Sequence, residues 1–194
     1  MKRILCIVGR TCSGKDTLAQ YLIKKSKGKI KPFISFTDRE MRKGETDGVE
    51  HYFLSKESFT EMMETHKPLA YTEICNEEYP EGCRYMTTVS QLDSDANLYI
   101  IDPNGVHYLE ENFPDVKMEI IYIIRSKSDR EKSAKRHRSD FEKFEKRCAQ
   151  EDTQFTKFEE EIYEDTVHAH VIRNDKLHES KKLILKYGMN FLSI

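Results

Sequence analysis

The chain lacks the features that would send it to a membrane, a nucleic acid or an oxidising compartment. Its first apolar run, Ile4 to Val8 behind Lys2-Arg3, is too short for a membrane span or the apolar core of a signal peptide, and it reads as a buried strand. Lys+Arg 32 against Asp+Glu 34 leaves a formal charge of -2, so no overall basic field recruits nucleic acid. The five cysteines are odd in number and contain no C-x-x-C pair, which removes both a disulfide framework and a metal knuckle and fits a reducing cytoplasm. Internal repeats, low-complexity tracts and Gly/Ser linkers are also missing. What remains is 38% hydrophobic and 34% charged residues over 194 positions, enough for one core with a small appended element and too little for two ordinary domains.

The segment Arg3-Ile4-Leu5-Cys6-Ile7-Val8 is rich in β-branched residues and stops at Gly9, and beyond Lys15 the residues Leu18, Leu22 and Ile23 recur at helical spacing. Further strands are predicted at Pro32 to Ser35, Asn97 to Ile101, Met118 to Ile124 and Ala169 to Arg173, with helical patterns between several of them. This alternation predicts an α/β fold with a doubly wound parallel sheet. Between Tyr52 and Thr88 the pattern changes to a helix from about Ser55 to Thr65 flanked by β-like pieces at Leu69 to Cys75 and Cys83 to Thr87, a small α+β flap inserted in the core. Ser128 to Glu131 and Ser139 to Glu142 have the form of capping boxes, so two helices should begin there. Phe141, Phe144, Cys148, Phe155, Phe158 and Ile162 then form one stripe on a helix of about six turns.

Gly9-Arg10-Thr11-Cys12-Ser13-Gly14-Lys15 fills the G-x-x-x-x-G-K frame of a P-loop between a predicted strand and a predicted helix. Backbone N–H groups of such a loop and the positive end of the helix wrap a β-phosphate, and Lys15 reaches the β- and γ-oxygens. Cys12 serves there as a small residue. The position after the lysine is Asp16, followed by Thr17. Asp16 could hold Mg²⁺ through a water, because this ion keeps several waters; Thr17 could instead touch the α-phosphate.

Farther on, Arg39 and Arg42 stand three apart before Gly44-Glu45, and two guanidinium forks so spaced can share one dianionic phosphate. The stretch from Ser35 through Thr37, Arg39, Arg42, Gly44, Glu45 and Gly48 to His51-Tyr52-Phe53 closely resembles guanylate kinases, whose pattern S-x-T-T-R-x-x-R-x-G-E-x-x-G-x-D-Y-x-F it follows nearly position by position. The resemblance runs from the phosphate loop to Asn174-Asp175. It implies a P-loop NTPase-type fold, ATP with Mg²⁺, and GMP or dGMP as acceptor. Ser35 would contact guanine, Arg39 and Arg42 would grip the GMP phosphate, and Glu45, His51 and Tyr52 would complete that site, with His51 where the family usually has tyrosine. Leu69 to Glu73 is similar to F-L-E-x-A-E, and Tyr85-Met86-Thr87 to Y-G-T/S, implying Glu73 and Thr87 on the guanine edge and Tyr85 on the phosphate. Asp102 matches D-I-D-x-Q-G, as a base-edge or metal-water contact. Arg136 and Arg147 match the lid arginines of R-G-x₉-R, and Asn174 the late V-x-N-D loop near adenine.

The resemblance therefore implies one domain, 1–194, with a core at 1–34 and 89–194, a nucleotide-monophosphate flap at about 35–88 and a helical lid at about 126–150. Phosphoryl transfer would be promoted by Lys15, Arg136 and Arg147 in a cytoplasmic monomer or homodimer that binds neither nucleic acid nor membrane. Two other readings stay open at this point: a kinase of the same fold with another acceptor, such as another nucleoside monophosphate or a ribose bisphosphate, and a non-catalytic module that binds protein partners.

Overall fold

Every residue from Ile4 to Val8 is fully buried, which a strand achieves only when both faces of its sheet are covered. A computed structural model describes residues 2–42, 44–75, 79–137 and 141–193. In chain order its strands are β1 (Arg3–Val8), β2 (Lys31–Pro32), β3 (Phe36–Thr37), β4 (Tyr52–Phe53), β5 (Pro68–Ile74), β6 (Cys83–Thr88), β7 (Ala96–Ile100), β8 (Lys117–Ile124) and β9 (Ala169–Arg173). The helices are α1 (Lys15–Ser26), α2 (Lys56–Thr65), α3 (Pro103–Asn112), α4 (Lys127–His137), α5 (Phe144–Tyr163) and α6 (Leu177–Ser193).

Five strands form a parallel sheet in the order β2-β7-β1-β8-β9. Alternate residues of β1 point to opposite sides. Ile4, Cys6 and Val8 join Val106 and Leu109 of α3 and Phe155 and Phe158 of α5, while Leu5 and Ile7 join Leu18 and Leu22 of α1 and Ile184 and Phe191 of α6. Helices thus cover both faces, and β1 ends where the chain can leave toward either side, the usual place for a ligand in such a sheet.

A second sheet, order β4-β3-β6-β5, carries the inserted segment, with β5 and β6 antiparallel. Ser55 caps α2 by accepting from the Ser58 N–H at 3.1 Å. The remaining helix starts shift slightly from their expected places. Ser126, not Ser128, accepts the Asp129 N–H at 3.2 Å, so α4 begins earlier. Ser139 and Asp140 lie outside the described residues; α5 starts at Phe144 after a 3-10 turn at Phe141–Lys143. Its stripe is as expected: Phe144, Cys148, Phe155 and Phe158 are buried.

Candidate active site

The loop after β1 is shaped by contacts that tolerate only glycine at two places. A Cβ on Gly9 would stand 2.7 Å from the Ile123 carbonyl oxygen and 2.7 Å from Ser13 Oγ. Gly14 has φ +89°, and a Cβ there would meet Asn174 Nδ2 at 2.3 Å. The loop closes through Ser13 N–H on the Arg10 carbonyl at 3.0 Å, Cys12 takes φ 61°, and α1 then opens at Lys15 with no side-chain cap. Uncapped amides at a helix start are anion donors. Lys15 lies at this start, its Nζ 3.6 Å from the exposed Asp16 carboxylate, with Thr17 also exposed. Ser13 Oγ is buried with no hydrogen-bond partner among the described residues, a polar atom aimed into the loop that a phosphate oxygen would satisfy.

Several residues outside the motif hold this loop. Asn174 donates from Nδ2 to the Ser13 carbonyl at 2.8 Å, and Arg10 pairs with Asp152 at 2.6 Å and Glu159 at 3.4 Å over the Phe155 ring. The Thr11 N–H donates to Glu151, and its carbonyl accepts from Arg130 Nη1.

The inserted sheet gathers a second set. Arg39, only 5% exposed, forks onto Glu45 at 2.6 and 2.7 Å and donates from Nε to the Tyr85 hydroxyl at 2.9 Å, with Phe53 stacked against its guanidinium. Glu45 also accepts the Arg42 N–H at 2.8 Å. The hydrogen bonds from Arg39, supported by the one from the Arg42 backbone, hold the Glu45 carboxyl down at about 2. Burial pushes the Tyr85 hydroxyl up to about 12, so it stays neutral beside Arg39. Arg42 Nη2 donates to the Tyr79 hydroxyl at 2.7 Å, and Ser35 Oγ lies 2.8 Å from His51 Nδ1. Burial and then the Arg39 charge lower the His51 pKa, which keeps its ring neutral at pH 7.

The sequence model of guanylate kinase matches residues 1–187. The chain belongs to the guanylate kinase family. Relatives include the guanylate kinase of Helicobacter hepaticus, 31% identical over 76% of this chain and 73% of that protein. The guanylate kinase of Symbiobacterium thermophilum is 32% identical over 58% of this chain, a match spanning about half (52%) of that protein. The crystal structure of guanylate kinase from Anaplasma phagocytophilum has the same fold, with TM-score 0.65 and 19% identity over 98% of this chain and 86% of that one.

Within this guanylate kinase fold, several residues expected to touch ligand have other partners. Directly opposed residues of an antiparallel pair share a face. Thr72 and Ala70 therefore stand with Tyr85 and Thr87, while Glu73 stands with Arg84 on the other side. That other side is the α2 side: Arg84 donates to the Lys56 carbonyl at 2.9 Å and to Thr60 at 3.1 Å over the Phe59 ring. Glu73, exposed and 3.2 Å from the Tyr71 hydroxyl, thus stands on the face of its strand opposite to Thr87. Thr87 is fully buried, its hydroxyl 2.7 Å from that of Tyr99. Asp102 caps α3 through the Gly105 N–H at 2.8 Å, so this aspartate has a structural task. Asn174, 6% exposed, braces the loop with its amide. Tyr52 stacks on Phe36 at 5.0 Å, whereas the His51 ring lies 5.4 Å from that of Tyr85. Arg39, expected with Arg42 on one phosphate, has its fork on Glu45, and Arg42 joins the same carboxylate through its backbone N–H.

Arg136 is exposed on α4 and Arg147 half-buried on α5. Cys12 packs with Phe144 and Cys148, which brings the phosphate loop and α5 together. The motif reading missed Glu151, Asp152, Glu159, Arg130 and Tyr79. Only the α5 spacing 152, 155, 159 carried a signal, since steps of three and four place these residues on one helix face. Among the described residues no group of three or more His, Cys, Asp or Glu could hold a metal ion. One exposed carboxylate beside the phosphate loop, Asp16, fits an ion carried mainly by nucleotide oxygens and water. Among the same residues no helix is long and apolar enough to cross a membrane.

Proposed function

We propose that this chain transfers the γ-phosphoryl group of ATP to GMP or dGMP, giving ADP and GDP or dGDP. The observation that carries the reading is the phosphate loop, with both glycines sterically required and Lys15 at an uncapped helix start, in a chain of the guanylate kinase family. The acceptor phosphate is already ionised at neutral pH, so the reaction needs alignment and charge neutralisation rather than a general base. The amides from Lys15 to Thr17 and the Ser13 hydroxyl hold the donor phosphates, while Lys15, Arg136 and Arg147 face the charge that develops in transfer. Arg42, His51 and Ser35 receive the acceptor on a surface kept rigid by Arg39, Glu45 and Tyr85. Mg²⁺ bound with ATP neutralises phosphate charge, and Asp16 would hold it through water. Closure of the flap at about 35–88 and the lid at about 126–150 expels water, since ATP hydrolysis competes. The protein works in this reading as a cytoplasmic monomer or homodimer without nucleic acid or membrane.

A coupled assay of ADP release across GMP, dGMP, AMP, UMP, CMP and ribose 1,5-bisphosphate tests the reading. GMP and dGMP should dominate; equal turnover with AMP would overturn the acceptor, and no turnover with any of them would overturn the activity.

A further inference from the structure

Two helices take hold of a single residue in the phosphate loop. Thr11 gives its N–H to both oxygens of Glu151, at 2.9 and 3.2 Å, and its hydroxyl to the same carboxylate. Its carbonyl accepts from Arg130 at 3.2 Å, and Arg130 is only 4% exposed. Glu151 stands on α5 and Arg130 on α4, the helices that bear Arg147 and Arg136. Glu151 follows Arg147 by four positions, so the two side chains share one face of α5. Arg10 adds a second tie to the same helix through Asp152, Glu159 and Phe155.

The carboxylate does not sit where a phosphate would. Thr11 precedes Gly14 by three residues, whereas the free amides of α1 begin after Gly14, at Lys15. A negative group near an anion site weakens nucleotide binding through space. Its presence is accounted for if it orders something the reaction needs.

We infer that Glu151 is a positioning residue for phosphoryl transfer: by holding Thr11 it sets the height and rotation of α5 over the phosphate loop and thereby places Arg147 at the transferring group. This rests on the kinase reading above. Positive charge from an arginine acts on the transferred phosphate only when its fork is placed closely, and a misplacement of about 1 Å costs on the order of 10²-fold. The inference assigns that placement to a hydrogen-bonded contact between residues 140 positions apart.

Five proteins test it: the unmodified chain, Glu151→Ala, Glu151→Gln, Arg147→Ala and the variant with both alanines. Glu151→Ala should lower kcat by about 10²-fold with the KM for GMP unchanged, and should cost nothing further once Arg147 is already alanine. Glu151→Gln, which keeps an oxygen for the Thr11 N–H, should recover most of the rate. Losses that multiply in the double variant overturn the inference, as does a rise in kcat with a lower ATP KM, which would make the carboxylate an internal competitor of ATP. Amide exchange on the nucleotide-free protein gives a readout independent of turnover. Glu151→Ala should speed exchange at Thr11 and in the first turns of α5, and unchanged exchange there overturns the tie itself. If the unmodified chain transfers phosphate to no acceptor, the kinase reading fails and takes this inference with it; multiplying losses in an active enzyme sink the inference alone.

Discussion

Replacing Glu45 by alanine should unsettle the inserted sheet, because it strips a buried arginine of its partner. The Arg39 side chain is 2% exposed and the Glu45 side chain 17%, and their two contacts are 2.6 and 2.7 Å long. Removing one partner of a buried pair costs about 3–5 kcal/mol, because the remaining charge is left without compensation. The exposed fraction of Glu45 lets water reach Arg39 and argues for about 3 kcal/mol, the low end of that range. In a chain of this length that corresponds to a fall in Tm of roughly 6–12 °C. Glu45 titrates at about 2 in the folded protein against an ordinary 4.5. A depressed carboxyl contributes its stability above the unfolded value and loses it as pH falls toward the folded one. The stability gap between the unmodified chain and Glu45→Ala should therefore be full at pH 7 and narrow between about pH 4.5 and pH 2. Urea melts followed by circular dichroism at pH 7 and at pH 3 measure both quantities. A gap under about 1 kcal/mol at pH 7, or one that does not narrow on acidification, would refute the reasoning and make the pair an ordinary surface contact.

The other expectations concern turnover. Lys15→Ala should abolish transfer while leaving the melting curve near that of the unmodified chain, since the one ion pair of Lys15 among the described residues is with the exposed Asp16 at 3.6 Å; unaltered kcat would remove the loop lysine from the mechanism. Arg136→Ala should lower kcat by as much as roughly 10³-fold with little change in the KM for GMP, and a change confined to KM would reassign it to acceptor binding. Glu73→Gln should leave the ratio of kcat/KM for GMP over AMP unchanged, because Glu73 lies on the α2 side of its sheet. A collapse of that ratio in this variant would show that the flap adopts a different strand register when it closes.

The parts of the molecule that were legible from residues alone are those whose physics is local. A glycine that must take φ +89°, the lysine directly after it, and an apolar stripe at steps of three and four announce themselves within a few residues of sequence. The strand face of Glu73 is not legible for the opposite reason. Which face a strand residue occupies depends on pairing register, and one position separates Thr72, beside Tyr85, from Glu73, beside Arg84. The cap made by Asp102 and the brace made by Asn174 are not legible because such contacts use the same polar side chains as a binding site. The spacing of Arg39 and Arg42 does not announce that Glu45, which the same motif supplies six residues on, holds the Arg39 fork. The grip of Glu151 and Arg130 on Thr11 joins residues 140 and 119 positions apart, and no window along the chain could hold both ends.

Helix α5 belongs to two apolar clusters at once, with Phe155 and Phe158 in the main core and Phe144 and Cys148 in a small separate one. At 1.5 Å per residue, Arg147 stands about 16 Å along the rod from Phe158. The core end is then a fulcrum and the arginine rides on a long arm. A tilt of about 4° at Phe158 would carry Arg147 by about 1 Å, the scale on which alignment decides rate. Conservative changes in the packing around Phe155 or Phe158, far from any phosphate, should therefore reach the chemistry as a lost angle before they register as lost stability.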